Sequence, residues 1–209
     1  MPIAAVIVAH PDDESLWCGG QILQRPAWDW FVLTLCRGSD RDRAERFGSV
    51  LRYLGANGAM GDLDDGPEQR PLAQELVQRT ILERLPARAY DLVFTHGPRG
   101  EYTRHLRHQE CSAAVVSLWK GGAIDVDELK LFAYDDEGGT AAPRICADAD
   151  ERHPLDPATF TRKLYLVTDL YGFSLESWEA RATPATEGFY RLTRSERPPL
   201  RAPPRRGDP

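Results

Sequence analysis

The sequence predicts an α/β fold: a Rossmann-like, three-layer sandwich with a mostly parallel central sheet. Three observations carry that expectation. Short apolar runs rich in β-branched residues alternate with amphipathic stretches of about 10–15 residues. The first run opens the chain and stops at a cluster of charged residues, where a parallel strand would deliver a site. With 209 residues, 42% apolar and 28% charged, the chain suits one sizeable core better than two.

Taken in order, Ile3–Ala9 is a continuous apolar run expected as a strand buried on both faces. A helix is expected over Glu14–Gln24 and a second strand over Phe31–Cys36. An amphipathic helix over Arg43–Leu54 ends at Gly55. Another over Leu72–Leu85 is opened by Pro71 and stopped before Pro86. Tyr90–Thr95 reads as a strand, His108–Trp119 as a helix and Leu129–Tyr134 as a strand. From Asp135 to Pro157 the rhythm breaks into a long loop, of the kind that is often functional. Thr159–Leu170 returns to helical spacing, and Glu187–Leu192 suits a late strand. Residues 1–194 form one domain in this reading. Residues 195–209, SERPPLRAPPRRGDP, form a disordered tail, because their composition cannot bury enough apolar surface to offset ordering entropy.

The net charge of −6 argues against nucleic acid or an anionic membrane as the main partner, since both want a basic face. No stretch reaches the ~18 apolar residues of a membrane helix. MPIAAVIVAHPDDE has no basic region ahead of its apolar run and reads as a strand rather than a signal peptide. Cys18, Cys36, Cys111 and Cys146 are scattered without a close pair, so neither a CxxC metal site nor a disulfide framework is suggested and a reduced, cytoplasmic compartment is the default.

The chemistry concentrates in two motifs. His10-Pro11-Asp12-Asp13-Glu14 follows the first strand directly. His10 and Asp13 can aim two metal-binding atoms at one point, and Asp12 can face the same pocket. Three carboxylates beside an imidazole repel one another unless a cation neutralises them. An N-cap would account for one of the aspartates but not for the whole cluster. A zinc site with an open position needs a third protein ligand, and His105 and His108 form an H-x-x-H pair at the head of the helix after Tyr90–Thr95, on the same edge of the sheet.

These residues resemble the LmbE-like, PIG-L-type zinc N-deacetylases. AHPDDE near the N-terminus and the later H-x-x-H carry the likeness; Leu35-Cys36-Arg37-Gly38, Arg43 twelve residues before Gly55, Asp65-Gly66 and Lys163 support it. The resemblance implies that His10, Asp13 and His108 bind Zn²⁺, although another divalent metal such as Fe²⁺ also suits them. It implies Asp12 as general base, and His105 as the group that stabilises the oxyanion and helps protonate the leaving amine. It places Arg43 and Asp65 against a small N-acetylated sugar, and Tyr102 flanks the motifs where it could stack on that sugar. A homo-oligomer is left open. The chain departs from the family's H-P-D-H, having Leu106 and Arg107 between the histidines, and has Arg46 where an acidic residue is common.

Other residues carry weaker readings. His96 suits a satisfied strand-end histidine and His153 a solvated one; Trp17 is divided between sugar platform and core. Arg99, Glu101 and Arg104 are loop charges or substrate contacts, and Cys18 and Cys111 inert apolar residues. Gly19-Gly20 lacks the surrounding pattern of a nucleotide loop. Competing functions are an amidase on another small amide, an Fe(II) oxygenase built on two His and a carboxylate, and a sugar-binding relative without turnover.

Overall fold

The computed structural model describes residues 1–102 and 105–196. Its elements run β1 (Ile3–Val8), α1 (Asp13–Leu23), β2 (Asp29–Cys36), α2 (Arg41–Leu54), β3 (Asn57–Leu63), α3 (Gln74–Arg84), β4 (Tyr90–Thr95), α4 (Leu106–Gly121), β5 (Val126–Phe132), β6 (Tyr134–Asp135), β7 (Arg144–Ile145), β8 (Glu151–Pro154), α5 (Pro157–Tyr165), α6 (Trp178–Ala182) and β9 (Thr186–Thr193). Seven strands form one sheet in the order β3-β2-β1-β4-β5-β9-β8. The first five are parallel, and β9 and β8 extend the sheet antiparallel. The α/β expectation therefore holds.

Alternate residues of β1 feed two cores, as the two-residue period of a strand requires. Ala4, Val6 and Val8 pack with Trp17, Phe94, Phe132, Leu166 and Phe189 on one face. Ala5 and Ile7 pack with Leu35, Ile81, Val93, Val115 and Trp119 on the other. Local signals set the helix ends: Asp40 caps α2 through Arg43 N–H, and Gly55 closes it at φ 65°. Asp156 caps α5 ahead of Pro157.

Three features differ from the sequence reading. No strand was expected at β3, an edge strand whose Gly58 and Gly61 hide its periodicity. A Cβ at Gly58 would lie 2.6 Å from Val32 O, and one at Gly61 2.6 Å from Leu35 O, so close approach to β2 demands glycine. The stretch 135–157 is not one loop: it holds the β6–β7 ribbon and β8. Those strands of two and four residues are defined by their partners rather than by any pattern of their own. At the C-terminal end, residues 194–196 form a short 3-10 turn, so Ser195 and Glu196 belong to the folded body. The rest of the expected tail, 197–209, lies outside the described residues.

The chain runs β1 to β3 towards one edge, then returns to place β4 on the other side of β1. Between β1 and β4 the strand order reverses, and the crevice outside the carboxyl ends of those strands is where an open α/β sheet binds ligands. Both histidine motifs emerge there. Among the described residues no helix is long and apolar enough to cross a membrane.

Candidate active site

Beyond β1, Ala9 fixes the geometry of the site. Its carbonyl accepts from Leu35 and Cys36 N–H, and its N–H donates to His96 Nε2 at 2.9 Å. The chain then turns sharply through Asp12, at φ 146°, ψ −27°. A non-glycine residue in that region typically costs about 1–3 kcal/mol and persists only where its surroundings dictate it. Asp12 stands at the N-cap of α1, and its carbonyl receives Ser15 and Leu16 N–H, but its side chain makes no cap bond. The Asp13 carboxylate turns back to accept from His10 N–H at 2.8 Å and Trp17 Nε1 at 3.3 Å. Side-chain capping therefore does not explain this acidic cluster.

His10, Asp13 and His108 converge. His10 Nδ1 lies 3.2 Å from Asp13 Oδ2 and 3.2 Å from His108 Nε2, which is 3.4 Å from Asp13 Oδ1. Each imidazole is held by a carboxylate on its far nitrogen: His10 Nε2 meets Asp65 Oδ1 at 3.2 Å, and His108 Nδ1 meets Glu101 Oε2 at 2.5 Å. With protons on those far nitrogens, two bare lone pairs and a carboxylate face one point. A divalent cation satisfies all three, and carboxylate-held imidazoles are the usual arrangement around one. The donor set thus fits a metal. Without one, a proton on His10 serves instead: burial opposes it, but Asp13 and Asp65 raise this imidazole to about 10.

His105 brings a ring nitrogen within 4.8 Å of nitrogens of His10 and His108, its ring stacked on His108 at 4.4 Å. Its Nδ1 is buried without a partner among the described residues. Burial, then the neighbouring His108 and His10, push it down to about 3, so its ring is neutral. His96 and Asp13 also cluster with His108, but His96 Nε2 already accepts from Ala9 N–H and its Nδ1 meets Glu101 at 2.8 Å. It is the satisfied strand-end histidine that the sequence suggested.

Glu101 was read as a solvated loop charge or a substrate contact and is neither. It is fully buried, accepts from both His96 and His108, and accepts Gly97 N–H at 2.8 Å. It supplies the orienting carboxylate that the H-x-x-H pair lacks. The available signal was an acid between a strand-end histidine and an H-x-x-H whose own acid is missing. Arg107, standing in that acid's place, is buried and turns away from the donors. It binds Asp64 O, Arg70 O and Glu110, tying α4 to the loop that carries Asp65.

A cavity of about 380 Å³ opens above the cluster, lined in part by Asp12, Arg43, Asp65, Tyr102, His105 and Trp178. Arg43 Nη1 lies 3.4 Å from Asp12 Oδ2, and its guanidinium sits over Phe173 at 5.0 Å. Burial and the adjacent Asp13 raise the Asp12 carboxyl well above its usual range. Tyr102 and Trp178 meet edge to face at 4.5 Å on the cavity wall. Asp65, expected on substrate, spends its carboxylate on His10, Arg37 and Gln69. Trp17 is core, fully buried and bonded to Asp13. Cys18 and Cys111 are buried thiols raised by burial, as inert as expected. Arg99 is an exposed loop charge; His153 is half-buried against Glu151 at 2.6 Å. Arg104 lies outside the described residues.

An α/β sheet with a convergent His/Asp donor set at its switch point defines a class of proteins with a metal-ready crevice. The chain belongs to the PIG-L family: residues 5–119, more than half of the chain, match the model described as GlcNAc-PI de-N-acetylase. Among individual proteins it is 23% identical over 146 residues to uncharacterized protein L374 of Acanthamoeba polyphaga mimivirus, covering 62% of this chain and 61% of that one. The chain thus spans less than two thirds of that relative's length. In structure it is similar to N,N'-diacetylchitobiose deacetylase from Pyrococcus horikoshii, with TM-score 0.69, 15% identity, and 91% and 84% of the two chains covered. It is also similar to GalB, the 4-carboxy-2-hydroxymuconate hydratase of Pseudomonas putida KT2440, with TM-score 0.62, 14% identity, and 92% and 96% covered. At these identities the structural likeness establishes the fold.

Proposed function

We propose that this chain is a metal-dependent hydrolase that removes an N-acetyl group from an acetylated amino sugar or a related small molecule. The observation that carries the reading is the convergence of His10, Asp13 and His108 beside Asp12, whose carboxylate faces the cavity, in a chain of a de-N-acetylase family. A divalent metal, Zn²⁺ or another such as Fe²⁺, held by His10, Asp13 and His108 supplies Lewis acidity and makes water acidic enough to react near neutral pH. Asp12 takes the proton of the water that attacks the acyl carbon; burial and the adjacent Asp13 raise its carboxyl, which strengthens it as a base. As the C–N bond breaks, Asp12 returns that proton to the leaving amine, and acetate and free amine result.

His105 donates a hydrogen bond to the acyl oxygen as charge develops there. Its neutral ring has no spare proton for the amine, so the resemblance's second role for it passes to Asp12. Tyr102 and Trp178 offer an aromatic wall for the sugar ring, and Arg43 lines the cavity while holding the Asp12 carboxylate.

The test is to incubate metal-loaded protein with N-acetylglucosamine, N,N'-diacetylchitobiose and other N-acyl amines, measuring amine and acid together. Equal amounts of acetate and free amine are expected. Amine from the longer N-acyl substrates alone would select the amidase reading. No amine from any of them, with metal bound, overturns the hydrolase.

A further inference from the structure

Asp12 is held from a part of the chain that the family model does not reach. Its backbone N–H points to Glu14 Oε2 at 3.2 Å. Glu14, fully buried, accepts through Oε1 from Ser15 Oγ and from Tyr171 Oη, each at 2.7 Å. Tyr171 is buried at the end of the π-helical turn Leu166–Leu170, and its carbonyl accepts from Arg46 Nη1 at 2.6 Å. Arg46 lies on α2 one turn beyond Arg43, which touches the Asp12 carboxylate directly. Helix α2 therefore grips Asp12 twice: at its carboxylate through Arg43, and at its backbone through Arg46, Tyr171 and Glu14.

We propose that Tyr171 is a positioning residue for Asp12, the end of a brace that holds the base in its left-handed backbone conformation. The proposal rests on the functional reading above. A relaxed φ at Asp12 would swing its carboxylate off the cavity, whereas the bond from Tyr171 keeps Glu14 aimed at Asp12 N–H. Tyr171 touches neither the cavity nor the metal donors, so its substitution should leave binding intact and misplace only the base. The brace also gives Arg46, a departure from the family pattern, a use in this chain.

Crystal structures of Tyr171→Phe and Glu14→Ala, metal analysis, and steady-state kinetics on N,N'-diacetylchitobiose form the test. In both variants φ of Asp12 should leave its wild-type value. In Tyr171→Phe, kcat should fall about 10–10²-fold, as for a slightly misplaced group, with KM and metal content unchanged. In an Asp12→Asn background, Tyr171→Phe should cost nothing further, because the two act through one group. An unmoved Asp12 in both structures, or additive losses in the double variant, overturns the brace. An active Asp12→Asn protein instead defeats the functional reading, and is recognised by that variant alone.

Discussion

Asp12 and Asp13 are chain neighbours with different partners: Asp12 Oδ2 meets Arg43 at 3.4 Å, whereas Asp13 Oδ2 meets His10 at 3.2 Å, and the proposed function gives them separate tasks. Asp12→Asn keeps the shape and removes the basicity. Metal content should persist while turnover falls by about 10²–10⁴, the usual loss with a general base; wild-type turnover would remove Asp12 from the mechanism. His105→Ala should lower kcat by roughly 10²–10³, as for the loss of one oxyanion donor. Loss of metal in that variant would exchange the roles of His105 and His108. Glu101→Gln tests the orienting carboxylate. Glu101 receives three hydrogens, from His96, His108 and Gly97, and an amide turns a donor towards at least one of them. Metal affinity measured by competition with a chelator should drop about 10–100-fold, and an unchanged affinity would mean that His108 needs no such partner. The AHPDDE and H-x-x-H residues were legible because their chemistry is local to each motif. Glu101 was not, since its meaning depends on two imidazoles brought to it by β4 and α4.

At the scale of elements, α1 is two helical segments merged across a kink at Cys18, φ −141°, ψ 16°. The kink frees backbone N–H groups that a continuous helix would use. Glu187 on β9 takes them: its carboxylate accepts Gly20 N–H at 2.8 Å and Gln21 N–H at 3.0 Å, acting as a cap delivered from the far end of the chain. Lys163 on α5 neutralises Glu187 at 2.7 Å, with both side chains fully buried. A Cβ at Gly20 would lie 2.5 Å from Leu155 Cδ2 and 2.9 Å from Glu187 Oε1, and one at Gly19 3.4 Å from Lys163 Cγ, so the Gly-Gly pair lets α1 approach α5 and β9 closely. Removing one partner of a buried ion pair typically destabilises by about 3–5 kcal/mol. Lys163→Met should therefore unfold at clearly lower denaturant concentration with its m-value unchanged. A midpoint equal to wild type would show that the Lys163–Glu187 pair adds nothing to stability. Lys163 stood out in the sequence through resemblance alone; its partner, 24 residues later, did not.

Across the whole molecule, the family match ends at residue 119, and the later chain completes the site. It supplies β5, β9 and β8 on the far side of β4, Tyr171 behind Glu14, and Trp178 on the cavity wall. The 3-10 turn at 194–196 still docks, since Arg194 reaches Asp125 and Asp127, each at 2.8 Å. A chain cut after Glu196 should keep the wild-type melting temperature and activity. A lower melting temperature would assign residues 197–209 a docking place. The same fold is found in a deacetylase and in a hydratase, so architecture alone does not choose the reaction, and residue-level tests must.

By itself the sequence determined the parallel α/β core, the edge of the sheet that carries the chemistry, and the two motifs that meet there. Buried parallel strands, helix caps and a polar cluster at a strand end are imposed by neighbours along the chain, so they can be read from it. Tertiary structure alone decided the rest. The short strand β8 exists through its pairing with β9, the antiparallel direction of β9 through its pairing with β5, and β3 through close contact with β2. The supporting set of Glu101, Glu187, Tyr171 and Arg107 becomes functional or structural only by contact with residues distant in sequence. Buried charges and hydroxyls need partners wherever the fold provides them, and no local pattern records where that is.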